Sequence, residues 1–203
     1  GETAEMPGFY KINQYDLAGF AVGVVERKEI ITGKKIKKSD LILGLPSNGL
    51  HSNGFSLVRK LIKKYKLKYD SKINPLRVKL GKELLKPTSI YVKQIKKLKE
   101  KVGIKGMAHI TGGGISENAG RILPDNTDAL IDTHSWKRPP IFNLLQNLGK
   151  ITNREMFNTF NMGIGFVIVI GKDDLKKALN VFKKNEILLI GEIIKGEGEV
   201  LYE

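Results

Sequence analysis

Apolar positions along the chain follow two rhythms. Dense, β-branched runs at 15–26 (YDLAGFAVGVVE), 40–46 (DLILGLP), 107–110 (MAHI), 127–132 (TDALID), 163–170 (GIGFVIVI) and 186–195 (EILLIGEIIK) each predict a strand. The second rhythm is helical. Val58, Leu61, Ile62 and Tyr65 recur at three- and four-residue spacing, which predicts a helix of about 12 residues beginning beyond Asn53, with Ser52 or Asn53 as its N-cap. Pro87 near the start and Gly103 past the end frame a second helix carrying Tyr91, Ile95, Leu98 and Val102 on one face. Further helices are predicted after the glycines at 112–114, at 139–149, at 153–160 with Thr152 and Glu155 as a capping box, and at 173–185. The charged stretch 27–40 interrupts the apolar density and marks a domain boundary or a crossover. Strands and helices in this mixed order predict an α+β fold, a mixed β-sheet covered by helices.

Composition narrows the classes. With 203 residues and 41% apolar content the chain can fill a real core. Its longest apolar run, 163–170, is too short to cross a bilayer. There is no cysteine, which removes disulfides, thiolate metal sites and a cysteine nucleophile, and suits the reducing cytoplasm. A formal net charge of +14 invites a nucleic-acid partner. The lysines, however, come in scattered pairs such as Lys63-Lys64 and Lys96-Lys97 with few aromatics between them, the pattern of wet helix faces. Such charge still attracts small phosphorylated anions.

Candidate chemistry gathers at two glycine-rich turns, each followed by a helix pattern. In SNGLHSNG the residues are Ser47, Asn48, Gly49, Ser52, Asn53 and Gly54; in ITGGGISEN they are Thr111, Gly112, Gly113 and Gly114. Unpaired N–H groups at a helix start can hold a phosphate, and glycine allows close approach. Neither turn has the Walker or dinucleotide spacing, so tight-turn glycines without a ligand remain the alternative. His51, between the two bends of the first turn, is placed to orient or exchange a proton beside a bound phosphate. His109 and His134 have no such setting, and no histidines stand at metal-ligand spacing. Glu2, Thr3 and Glu5 could hold Mg²⁺ against nucleotide phosphates. Asn161, ahead of a Gly-x-Gly, is either a ligand-facing amide or the mark of a close backbone approach.

Taken together and in order, GETAEMPG, YDLAGFAVGVVE, SNGLHSNGFSLVRK, HITGGGISEN, RILPDNTDALID and TFNMGIGF closely resemble the later half of the phosphoribosylformylglycinamidine cyclo-ligases, also called aminoimidazole ribonucleotide synthetases. Departures are Asn48 where serine is usual, Phe55 for tyrosine, and Ala119-Gly120 for Ile-Pro. The resemblance implies the C-terminal domain fold of that superfamily and ATP-dependent closure of formylglycinamidine ribonucleotide to the imidazole in purine synthesis. ATP would phosphorylate the formyl amide oxygen, and an amidine nitrogen would then attack that carbon and expel phosphate. It implies ATP and Mg²⁺ as cofactors, with Glu2, Thr3 and Glu5 on the nucleotide side, and with His51, Ser52, Asn53 and the loop from Thr111 to Gly114 in the substrate cleft. It also implies a preceding domain that pairs in a homodimer. The opening without an initiator methionine suggests that residues 1–33 are a remnant of that domain and linker, that 34–203 are the C-terminal domain, and that this piece alone is inactive. Formylglycinamidine ribonucleotide synthetase, selenophosphate synthetase and thiamine-monophosphate kinase share the architecture. The competing class is a basic, non-catalytic module binding RNA or anions.

Overall fold

The computed structural model describes residues 11–13, 15 and 19–203. Residues 31–203 form one compact unit, and the described residues before Ile31 fall in another. The larger unit is built on a six-stranded sheet of β1 (Leu41–Pro46), β2 (Ile104–His109), β3 (Thr127–Ile131), β4 (Ile164–Ile170), β5 (Leu188–Lys195) and β6 (Val200–Tyr202) in the order β2-β4-β1-β5-β3-β6. All neighbours are antiparallel except β3 and β6, which run parallel.

The central strand β1 is buried on both faces, which is why its sequence reads as an unbroken apolar run. Leu41, Leu43 and Leu45 point to one side. There they meet Leu98 and Val102 of the α3 region (α3, Val92–Lys99) and Ala178 of α7 (Leu175–Asn180). Ile42 points to the other side, into a larger core filled by α1 (Phe55–Lys64), α4 (Gly114–Gly120), α5 (Pro140–Gly149) and α6 (Asn153–Thr159). Helix α1 buries Val58, Leu61 and Ile62 of its predicted stripe, but the fourth member, Tyr65, is the C-cap of the helix and is exposed. Where the sheet meets the smaller face, Asp40 is buried against Lys105 and also accepts from the Lys37 N–H.

The structure corrects several expectations. The run 15–26 forms no strand in its described part; Phe20, Val22 and Val24 are exposed, and no strand pairs with them among the described residues. Apolar, β-branched density alone makes no ladder. Helix α1 is capped not by Ser52 or Asn53 but by Gly54, in the left-handed region at φ 76°. A Cβ there would overlap the Phe160 ring, so the close approach demands glycine. Helix α3 starts at Val92 rather than near Pro87, because the Pro87 carbonyl accepts from Asn48 Nδ2 and the Ser89 N–H goes to His51. Those groups serve the glycine turn instead of a helix ladder. Thr152 does cap α6, accepting the Glu155 N–H at 3.2 Å. Helix α7 is shorter than its sequence pattern and is preceded by a 3₁₀ turn at Lys172–Asp174. The short α2 (Leu80–Leu84) and β6 carry no periodic signal in the sequence.

Candidate functional site

The turn between β1 and α1 is held from beneath by one side chain. Asn161, 2% exposed, donates through Nδ2 to the carbonyls of Gly49 (2.9 Å) and Leu50 (3.2 Å). Its Oδ1 accepts from Ser47 Oγ (2.7 Å) and from the Gly163 N–H (2.9 Å). Its amide is therefore fully engaged within the protein. Asn161 and Ser47 are braces of the loop rather than ligand-facing groups, which corrects the first of the two readings of Asn161. Asn118 does the same for the second loop, accepting from Thr111 Oγ1 and donating to the carbonyls of Gly112 and Gly114. Its place one turn into a glycine-led helix, four residues after Gly114, is the signal that could have found it.

The two loops meet. A Cβ on Gly112 would stand 3.7 Å from Asn53 Oδ1, and both Gly54 and Gly114 pack so tightly on the end of α6 that neither has room for a side chain. Gly113 and Gly114 are left-handed, at φ 89° and 62°. The N–H groups of Ser52, Asn53, Gly54, Gly112 and Gly113 find no acceptor among the described residues. Asn48, Ser52 and Gly112 are exposed at this surface, and Ser52 Oγ lies 3.0 Å from Thr88 Oγ1. Gly49 is buried against Glu83 and Lys86. Glu2, Thr3 and Glu5 lie outside the described residues.

His51 does not project beside the loops as expected. Its backbone is left-handed (φ 58°) and its ring turns inward, 4% exposed, to lie under Gly165 of β4 with its centroid 6.2 Å from that of Tyr91. Nε2 accepts a long hydrogen bond from the Ser89 N–H at 3.4 Å, which puts the proton of a neutral ring on Nδ1. Nδ1 is buried and has no partner. An unmet buried donor costs about 1–3 kcal/mol, which a ligand acceptor would relieve. Behind this ring, Ser89 and Tyr91 form the wall of a cavity of about 420 Å³ that is also lined by Met107, His109 and Phe166. The His109 and Phe166 rings are stacked at 5.9 Å. Burial pushes the Tyr91 hydroxyl up to about 12, so it stays a neutral donor to the Pro46 carbonyl at 3.0 Å.

Burial, and then the nearby charge of His109, hold the His51 imidazole below its ordinary value of 6.5. The folded state thus binds fewer protons here than the unfolded chain, and the stability that depends on this group is intact above about pH 6.5 and declines as pH falls below it. His51→Gln is expected to flatten that decline, read as denaturation midpoints compared at pH 7.5 and pH 5.5.

Comparison with solved structures finds the same fold. Thiamine-monophosphate kinase from Stenotrophomonas maltophilia K279a superimposes with a TM-score of 0.59 over 88% of this chain and 54% of that one, at 15% identity. Escherichia coli HypE does so with a TM-score of 0.55 over 84% and 48%, at 17% identity. The chain belongs to the family described as AIR synthase related protein, C-terminal domain, whose model matches residues 37–203. Relatives named phosphoribosylformylglycinamidine cyclo-ligase are much closer in sequence. That of Alkaliphilus oremlandii is 52% identical over 204 residues, covering 99% of this chain and 60% of the relative. That of Thermodesulfovibrio yellowstonii is 56% identical over 199 residues, covering 97% and 58%. The chain therefore spans about 60% of the length of the curated relatives it matches.

Proposed function

We propose that this chain is the C-terminal portion of a phosphoribosylformylglycinamidine cyclo-ligase, an ATP-dependent enzyme that closes formylglycinamidine ribonucleotide to aminoimidazole ribonucleotide. The observation that carries the reading is identity above 50% to proteins of that name along essentially the whole chain. The abutting glycine loops, with free N–H groups from both, support it. ATP supplies the phosphoryl group that turns the formyl oxygen into a leaving group. A related fold, HypE, has been solved in complex with ATP.

The part of this chain is to position. The free amides of Ser52 to Gly54 and of Gly112 and Gly113 form a cradle for a phosphate or a developing anion, held rigid by Asn161 and Asn118. His51, kept neutral by burial, carries a buried Nδ1–H that finds no partner in the protein, and it is the donor we assign to a substrate acceptor at the first loop. Magnesium, by the family resemblance alone, is assigned to Glu2 and Glu5 with Thr3 beside them, and enters no step here. Residues 1–33 belong, in this reading, to a preceding nucleotide-binding domain that pairs in a homodimer, and the enzyme works in the cytoplasm.

The full-length protein tests it. Phosphate release should require both ATP and formylglycinamidine ribonucleotide, and His51→Ala should lower kcat/KM by about tenfold, the worth of one directed hydrogen bond. The present chain alone should release none. Phosphate release by this chain alone, or release by the full protein that ignores the ribonucleotide, would overturn the assignment.

A further inference from the structure

Most of the lysine and arginine excess is scattered, but four cations converge on one depression. Arg77, Lys86, Lys137 and Arg138 line a cavity of about 380 Å³, with Glu83 as its one carboxylate. They arrive from three separate segments: the turn after Pro75, the residues following α2, and the approach to α5. Glu83 is buried and is already engaged by Lys86 at 2.7 Å. Arg77, Lys137 and Arg138 form no ion pair among the described residues. Arg138 is instead held in place by its guanidinium stacking 5.1 Å from the Phe157 ring centroid. The N-terminus of the ten-residue helix α5, at Pro140, also lines the cavity and adds its positive dipole end. Three cations gathered around a concavity whose one carboxylate is already paired repel one another, and an anion of matching size removes that repulsion.

We propose that this basic cavity is an anion site for the phosphate group of a small phosphorylated metabolite. The forks of Arg77 and Arg138 bind the phosphate oxygens, and Lys137 neutralises the remaining charge. A volume of about 380 Å³ is the scale of a small ligand rather than of a polymer backbone. The site is next to, but separate from, the amide cradle: Lys86 Cδ would lie 3.6 Å from a Cβ on Gly49, the buried base of the first loop. The proposal does not depend on the cyclo-ligase reading.

Isothermal titration of the chain with ribose 5-phosphate and with ATP, each at 150 mM salt, tests it. Saturable one-to-one binding is expected, weakened about tenfold or more by the double variant Arg77→Gln, Lys137→Gln, whose side chains are exposed and outside the core. The charge-matched control Lys176→Gln, Lys184→Gln on another surface should bind as the parent does. Stronger binding of ribose 5-phosphate assigns the site to a phosphate monoester, and stronger binding of ATP to a polyphosphate tail; either supports phosphate recognition. The proposal is overturned by binding that both double variants weaken equally, which marks diffuse charge, by binding that Asn53→Ala abolishes and the Arg77, Lys137 variant leaves intact, or by no saturable binding at all.

Discussion

Replacing Asn161 by leucine is expected to lower the unfolding free energy by about 3–5 kcal/mol, read from urea midpoints at neutral pH. The side chains are close in size, so the loss comes from polar groups rather than from a cavity. Four partners are stranded: the carbonyls of Gly49 and Leu50, the Gly163 N–H and the Ser47 hydroxyl. A buried group left unmet costs about 1–3 kcal/mol. Ser47 recovers part of its share, because its hydroxyl also reaches the Gly49 carbonyl at 3.1 Å. The remaining groups cannot turn to water without pulling the loop from its seat on β4. Asn53→Leu, at a part-exposed position of the same loop, is expected to change stability by no more than about 0.5 kcal/mol. Equal effects at the two positions would mean that the loop is held by its glycines and not by Asn161. If the proposed function holds, the Asn161 variant of the full-length protein should lose turnover even below its unfolding midpoint, since the amides of the two loops would no longer share one geometry.

The contrast between Asn161 and Asn53 shows what the sequence could and could not convey. Elements with a dense apolar run or a helical spacing were legible: β1, β4, β5, α1 and α5 all lie within the segments so marked. The cap of α6 was legible because Thr152 and Glu155 carry a local chemical signature. Elements with no local rhythm were not. Helix α2 has only five residues, and β6 has three, tied to β3 by pairing between residues some 70 positions apart. Local chemistry marked each glycine turn separately as a possible phosphate cradle, and the structure adds that the two turns abut. The division of labour within them was not legible. An asparagine that faces a ligand and one that braces a loop are the same letter, and only contacts across 111 and 112 positions separate them. His51 was misplaced for a related reason: a non-glycine residue in the left-handed region is uncommon, so the expectation of an outward ring assumed ordinary backbone.

Gly165→Ala is expected to cost about 2–4 kcal/mol and, more tellingly, to disturb the pH dependence attributed to His51. Gly165 has no unusual backbone angle that demands glycine; the constraint is purely one of space. A Cβ on it would overlap the Tyr91 hydroxyl and stand 2.7 Å from His51 Cε1. β4 cannot retreat, since it is paired on both sides by β1 and β2. The rings must move instead. If Tyr91 moves, its bond to the Pro46 carbonyl is lost, worth about 1 kcal/mol, on top of about 1–3 kcal/mol for overpacking. If the imidazole is pushed outward, it regains water and its pKa returns towards the ordinary value. The decline in stability below about pH 6.5 should then be shallower than in the parent, although the protein is weaker at every pH. Gly171→Ala, one residue beyond the end of the same strand, is the control, because a Cβ there would meet only the flexible end of Lys105 at 3.8 Å. A Gly165→Ala protein with the parent's midpoint would show that Tyr91 and His51 have slack. One that is destabilised but keeps the parent's pH slope would show that Tyr91 alone gave way, leaving the imidazole where burial holds it neutral.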